Sequence, residues 1–571
     1  MKKFRLVLVM LLLAAMTLGL MTAQASGGPA VFAGGWPYST VPTGHFNMFV
    51  SNAIEMKFYR ELHQLPLAVY RAADEEYLPM LASEWSVGED SKTFDVTLRN
   101  DAKWLSGDMF TSKDVWTTFM LYRLVGNPVW NYISSVEMVA DDQVSFGIQN
   151  PTIMLVRYVL RKPMVDYLTY GEYADKAQAI LDGGKDESSE EWKALANDFS
   201  IFRPEYVNAT GPFYLDPAKV NQSNVELQKN ENSFLADTVN FDKVIVYNGD
   251  VPDLTPLVLN GEVDYLTHQF PAPSLETFLK MGYTTIQLQG VDGIAIYFNE
   301  ALKPLDQKEV RQAIAYVVDR NRVGELALPG VTRGTKYISG LGDTMTETWV
   351  DVTKLTDYSV NPEKAAQLLE TAGLSKKDGQ WYLADGKQFT LALQCPTSWS
   401  DGATAASEVA QQLTAFGIKT SFEGIDQAMR QTNIIEGNFQ MAMSFFGTGQ
   451  SHPMFAFETP LLVSNVKAAK GLSYPMIQTT EALGEVNLEE LIYASTNGWD
   501  LAPQKEIVEK IVVTLNETVP ILPLYSKWSK NLSSNGLNTD WGTDDALYLN
   551  SAGDDNFAVI KILNGELKPL K

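Results

Sequence analysis

The sequence predicts an α/β protein made of several domain-sized units. Its 571 residues exceed one domain severalfold, at roughly 100 to 200 residues per domain, and its 45% apolar and 20% charged residues suit a globular chain with a large core. A strand, a turn and a helix follow one another between Thr93 and Tyr122, and a strand, a helix and a second strand between Phe389 and Phe422. A crossover of the latter length joins parallel strands, the mark of this class.

Each element has a local reason. Thr93 to Leu98 (TFDVTL) alternates as a half-buried strand does. After the turn at Ser106-Gly107-Asp108, Thr111 to Asp114 has capping-box spacing, and Val115, Phe119 and Tyr122 then share one side of a helix. Gly211 to Leu215 and Val225 to Gln228 read as a hairpin and Lys243 to Tyr247 as a strand, so a mixed sheet begins here. Ile294 to Phe298 is an apolar run of strand length, and Val310, Ala313, Ile314, Val317 and Val318 fall at helical spacing. Asn361-Pro362-Glu363 starts a helix with a cap, a proline at the first position and an acid in the first turn; Ala365, Leu368 and Leu369 are its buried stripe, and Gly373 ends it in the left-handed conformation. Phe389 to Gln394 is a strand. Ala403 to Phe416 is a helix with Ala406, Val409, Ala410 and Leu413 on one face, stopped by Gly417, and Ile418 to Phe422 resumes as a strand.

Composition excludes several functions. Acids outnumber bases 69 to 45, a formal charge of -24 that repels a phosphate backbone or an anionic membrane, so nucleic acid is not an expected partner. Cys395 is the lone cysteine, which rules out an internal disulfide framework or a multi-thiolate metal site, and the four histidines (His45, His63, His268, His452) form no HExxH pair; no metal or cofactor is expected. At the start, Lys2, Lys3 and Arg5 precede an apolar stretch from Leu6 to Met21, and Ala23-Gln24-Ala25 fits a signal peptidase. Residues 1–25 therefore read as a secretory signal, with no cysteine at the cut to carry a lipid, and the expected product is exported and periplasmic.

Leu81 to Val115 (LASEWSVGEDSKTFDVTLRNDAKWLSGDMFTSKDV), Thr210 to Leu215 (TGPFYL), Leu257 to Asp264 (LVLNGEVD), Tyr297 to Asn299, Val310 to Arg320 (VRQAIAYVVDR) and Asn361 to Gly373 stand in an order and spacing that resemble the family 5 extracellular solute-binding proteins, the oligopeptide- or dipeptide-binding type of ABC importer receptor. The resemblance implies a two-lobed periplasmic-binding-protein fold of the large cluster C type with an extra inserted domain. One lobe would take residues 26–57, 201–288 and 530–571, with the inserted domain at 58–200; the other lobe would take 289–529. Candidate hinges are Leu288 to Val291 and Lys527 to Lys530. The implied partners are a small-molecule ligand and ABC permease subunits, with the receptor itself a monomer.

The ligand must be read from the site. Ligands of open α/β sheets bind beyond the carboxyl ends of the strands, and past the strand ending near Gln394 stand Pro396-Thr397-Ser398-Trp399-Ser400-Asp401, an indole, hydroxyls and a carboxylate. In peptide-binding members, the resemblance implies a Trp and then an Asp that pairs with the peptide ammonium. The matching stretch here, Phe439 to Pro453, contains no acid: Phe446 occupies the Trp place, Gly447 follows, and Gly449 occupies the Asp place. A buried ammonium without a carboxylate costs several kcal/mol. By this absence the chain resembles the family's oligosaccharide-binding branch, and its 12 Trp, 24 Tyr and 26 Phe supply flat faces for sugars.

The expected ligand is an oligosaccharide, with an oligopeptide as the alternative. Candidate contacts are Trp399, Ser400, Asp401, Phe446 and Gly447, with Asn47 and His45 in the N-terminal Gly44-His45-Phe46-Asn47, Trp36, and Tyr297 and Asn299 past the first crossing. Each has a plainer reading: Asn47 as a turn residue, Trp36 and Trp399 as core. Trp85, Trp104, Trp116 and Trp381 are read as structural, and Cys395 as a small buried apolar residue. The rival from another class is a secreted glycoside hydrolase, but with 69 acids a carboxylate pair is uninformative, no GxSxG elbow is present, and the resemblance points away from catalysis; the chain is not expected to be an enzyme.

Overall fold

The computed structural model describes residues 29–570 apart from 39, 41–43, 51, 55, 289, 331, 428, 451, 528, 551–554 and the side chain of Ser400. The expected secretory signal at 1–25 lies outside these residues. Among those described, no helix is long and apolar enough to cross a membrane.

Two large sheets organise the chain. The first has seven strands in the order Thr284–Leu288, Ser529–Ser533, Tyr265–Leu266, Val31–Gly35, Lys243–Tyr247, Asn224–Lys229 and Phe213–Val220. It is mixed: Val31–Gly35 runs parallel to Lys243–Tyr247, which pairs antiparallel with Asn224–Lys229. The hairpin expected from Gly211 to Gln228 is present here, with Phe213, Leu215, Val225 and Leu227 turned into the core by strand alternation. The same lobe holds a four-stranded antiparallel sheet, Ala82–Val87, Thr93–Leu98, Gln143–Ile148 and Ile133–Ala140, whose apolar side chains belong to one continuous core with those of the larger sheet. Thr93–Leu98 spans the expected residues with a strict alternation of burial, and helix Ser112–Leu124 begins at the capping box of Thr111 and Asp114.

The second large sheet has six strands in the order Thr332–Gly334, Ile521–Lys527, Asp292–Phe298, Met441–Gly447, Thr390–Pro396 and Lys419–Ile425. Strand Asp292–Phe298 is buried on both faces. Ile294, Ile296 and Phe298 enter one core, and Ala295 and Tyr297 enter another on the opposite side, which is why it reads as an unbroken apolar run. The crossover expected between Phe389 and Phe422 is a strand at Thr390–Pro396, a helix at Ser400–Phe416 and a strand at Lys419–Ile425, with the two strands parallel and Gly417 at φ 109° closing the helix. Helix Pro362–Thr371 starts at Asn361, whose side chain accepts from the Lys364 amide.

The chain passes from the first sheet to the second between Leu288 and Asp292, and returns between Lys527 and Ser529. The two crossings lie against each other: a Cβ on Gly290 would stand 2.7 Å from the Lys527 carbonyl oxygen, and one on Gly293 only 2.0 Å from that of Tyr525. Glycine is required by backbone-to-backbone approach at both positions. We call the bodies on either side of these crossings the first and second lobes.

Candidate functional site

The direction of the strands decides which edge of the second sheet carries the site. Thr390–Pro396 and Lys419–Ile425 are parallel and end side by side, Pro396 opposite Ile425. Met441–Gly447 ends at the same edge, with Gly447 opposite Asp292, the first residue after one crossing; Lys527, the last residue before the other, stands there too. The carboxyl ends of four strands therefore converge on the edge that meets the crossings and the first lobe.

At this edge Trp399, half-buried, packs against Phe445 with ring centroids 4.9 Å apart. The guanidinium of Arg430, from helix Met429–Glu436, lies 5.1 Å from the Trp399 ring and 5.3 Å from that of Phe445. Arg430 Nη1 donates to Ser444 Oγ at 3.0 Å. Asp401, in the first turn of helix Ser400–Phe416, holds Lys527 Nζ at 2.6 Å and accepts from the Tyr525 hydroxyl at 3.4 Å. Ser400 opens that helix, and its side chain lies outside the described residues. Behind this edge Cys395 is buried, and burial pushes its thiol up to about 12, so it is a packing residue without thiolate chemistry at neutral pH.

Between the lobes lie two adjoining recesses that share Arg157 and Gln450. The larger, about 250 Å³, is walled on the first lobe by Tyr70, Glu75 and Tyr548 and on the second by Trp349, Thr448 and Gly449. Asp555 at its base is engaged: its carboxylate bonds Arg157 at 3.2 Å, Arg161 at 2.5 Å and the amide of Tyr70 at 2.8 Å. The second recess, about 240 Å³, is basic and aromatic, with Arg60, Arg161 and Lys162 beside Tyr122 and Tyr158 on the first lobe and Phe455 on the second. Main-chain contacts also join the lobes: the Ile153 amide donates to the Gly498 carbonyl at 3.0 Å, the Gly498 amide to that of Pro151 at 2.8 Å, and Trp499 packs against the core of the first lobe.

Of the residues singled out from the sequence, the structure brings Trp399 and Asp401 together at the strand ends. The others are placed differently. Asn47 is fully buried, its amide donating to the carbonyls of Phe199 and Phe202 and accepting from the Phe49 amide, so it fastens a loop and has no face for a ligand hydroxyl. His45 is buried beside it and accepts from the Asn47 amide. Trp36 is partly buried, its ring tilted against Phe58 at 4.2 Å and packed on the first core. Tyr297 is enclosed with its hydroxyl donating to the Phe445 carbonyl at 2.6 Å, and Asn299 donates to the carbonyls of Gly437 and Phe439. Phe446 is 1% exposed and belongs to the core, while its neighbour Phe445 is 43% exposed. The period of two along a strand puts adjacent residues on opposite faces, and the sequence reading chose the inward one. Gly447, at φ 78°, lies against the crossing: a Cβ there would meet the Val291 carbonyl oxygen at 2.5 Å.

Sequence reasoning missed Arg430, Phe445 and Lys527 at the strand ends and Tyr70, Glu75, Trp349 and Tyr548 in the recess. The doublet Phe445-Phe446 in an alternating strand was the one available signal, since only one of the pair can face the core.

The profile of the bacterial extracellular solute-binding proteins, family 5 Middle, matches residues 76–467. An oligopeptide-binding protein of Bacillus subtilis is 26% identical over 288 residues, which are 46% of this chain and 48% of that protein. The chain spans about half to three-fifths of the length of the curated relatives it matches first. Among solved structures, a periplasmic oligopeptide-binding protein of Thermotoga maritima with bound mannohexaose superposes with a TM-score of 0.69 at 19% identity, covering 95% of this chain and 99% of that one. An oligopeptide-binding protein of Bacillus subtilis in complex with a nonapeptide superposes with a TM-score of 0.65 at 16% identity, covering 95% and 100%. At these identities the likeness concerns the fold, the two-lobed periplasmic-binding-protein architecture.

Proposed function

Because the chain belongs to the bacterial extracellular solute-binding proteins of family 5, we propose that it is the exported, periplasmic receptor of an ABC importer, that it captures an oligosaccharide between its lobes, and that it passes this cargo unaltered to a membrane permease. The observation that carries the reading is the 250 Å³ recess whose walls come from both lobes and whose flat surfaces are Tyr70, Trp349 and Tyr548. A ligand seated there touches both bodies at once, so its contacts favour the closed arrangement by its differential affinity for that state. Gly449 supports the sugar: it lines the recess at the place of the ammonium-binding acid and offers no carboxylate. A mannohexaose-bound protein of the same fold supports the class of ligand.

An oligopeptide is the second reading, favoured by one observation. Glu75 is an exposed carboxylate on the wall of the same recess, a charge available to a peptide ammonium. Calorimetry against cello- and manno-oligosaccharides and against di- to pentapeptides separates the readings. Binding of the sugars, recovered intact, is the expected result; tight binding of peptides alone replaces the ligand and keeps the receptor.

A further inference from the structure

We infer that Arg430, framed by Trp399 and Phe445, is an anion-recognising subsite of this receptor and that the cargo is an acidic oligosaccharide, with a ring carboxylate on the guanidinium and sugar faces against the flanking rings. The inference goes beyond the recess described above, since these three residues do not line it, and rests on the oligosaccharide reading.

Three observations carry it. Among the described residues no carboxylate stands within ion-pair distance of Arg430, which meets the neutral Ser444 hydroxyl and two aromatic rings, although the chain carries 69 acids to 45 bases. Its neighbours show the contrast: Lys527 at the same edge is held by Asp401 at 2.6 Å, and Arg161 and Arg157 in the first lobe are held by Asp555. Second, Arg430 Nε is buried with no hydrogen-bond partner among the described residues, so the guanidinium keeps donor capacity that its own surroundings do not satisfy. Third, the group sits at the edge where the carboxyl ends of the strands meet, and Phe445 beside it is 43% exposed. A planar guanidinium beside a pair of packed rings matches a pyranose bearing a carboxylate: the guanidinium takes the carboxylate and the exposed Phe445 ring takes a C–H face. A peptide chain asks instead for main-chain hydrogen-bond partners, which this cluster of side chains lacks.

The test uses the full-length mature protein, the oligogalacturonates and oligomannuronates of two to four units, and their neutral galactose and mannose counterparts. Calorimetry is expected to show acidic sugars preferred over neutral ones in the wild type, with the preference shrinking as salt is raised. Arg430→Gln is expected to lower the acidic-to-neutral affinity ratio at least tenfold, and Arg430→Lys, which keeps the charge and loses the fork, to lower it partially. The ¹⁵Nε–¹Hε resonance of Arg430, assigned by its loss in Arg430→Gln, is expected to shift on addition of uronate. Circular dichroism establishes that each variant is folded; if Arg430→Gln is not, Arg430→Lys and the wild-type resonance carry the test. An unchanged ratio in the variants, or no binding of any uronate, overturns the proposal. Trialanine with a free carboxylate and its C-terminal amide form a further arm: a preference for the free acid that depends on Arg430 overturns the acidic sugar and moves the carboxylate to a peptide. The receptor reading is judged separately by X-ray scattering. Lobe closure with a solute indifferent to Arg430 leaves the receptor standing and removes the subsite.

Discussion

At the scale of single residues, Trp399 and His63 show how burial divides roles. Trp399 is half-buried, rests on Phe445 and stands at the cap of a long helix without being sunk in a core. Trp399→Ala is therefore expected to weaken ligand binding by about 1 to 3 kcal/mol, the loss of an aromatic anchor, with the fold retained. Calorimetry beside a thermal melt checks it; lost stability with unchanged affinity would make the indole a core residue. His63 is the opposite case. It is fully buried, neither ring nitrogen has a hydrogen-bond partner among the described residues, and burial, aided by the charge of Arg60, depresses its pKa to about 3. The unfolded chain takes up this proton near pH 6.5 and the folded one does not, so the stability the neutral ring contributes is complete above 6.5 and is lost as pH falls toward 3. Thermal melts from pH 7 to 4 are expected to fall less steeply for His63→Leu than for the wild type; parallel curves would contradict it. Asn47 shows what a sequence conceals at this scale, since an amide offered to a ligand and an amide fastening two carbonyls have the same letter.

Among the elements, the crossings and the strands that touch them bring main chain against main chain. Gly447 combines a left-handed φ of 78° with main chain 2.5 Å from where a Cβ would be. Gly447→Ala is expected to destabilise the protein by about 1 to 3 kcal/mol and to displace the crossing at Val291, read as a lowered denaturant midpoint. The bridge between Pro151–Ile153 and Gly498 also ties the lobes, far in sequence from either crossing. Gly498 donates to the Pro151 carbonyl and has φ 80°. Gly498→Pro removes the donor and forbids that angle, so the ligand-free variant is expected to show a larger radius of gyration than the wild type in solution scattering. An identical radius would show that the bridge does not hold the lobes. Capping and period explain why the elements were largely legible: Thr111 with Asp114, Asn361 with Pro362, and Gly417 each act within one turn of chain, so sequence neighbours suffice to specify them.

For the whole molecule, two lobes joined by two crossings face each other across adjoining recesses, the arrangement on which the proposed capture of a solute rests. Saturating ligand is expected to reduce the radius of gyration of Gly498→Pro toward that of the wild type, and to raise the stability of the wild type by mass action, about 2.7 kcal/mol at a hundredfold excess over Kd. Scattering and melts at graded ligand concentration check both, and a melting temperature independent of ligand would contradict capture. What the sequence determined by itself was the α/β class, the parallel crossover from Thr390 to Ile425 and the family resemblance, because strand period, helix caps and turn residues are local properties carried by adjacent letters. What only the tertiary structure decided was which side chains face a ligand. Arg430, Phe445 and Trp399 come from three separate segments, and Tyr70 meets Trp349 across the gap between lobes, so their juxtaposition is a product of strand order and facing, which no run of neighbouring residues contains.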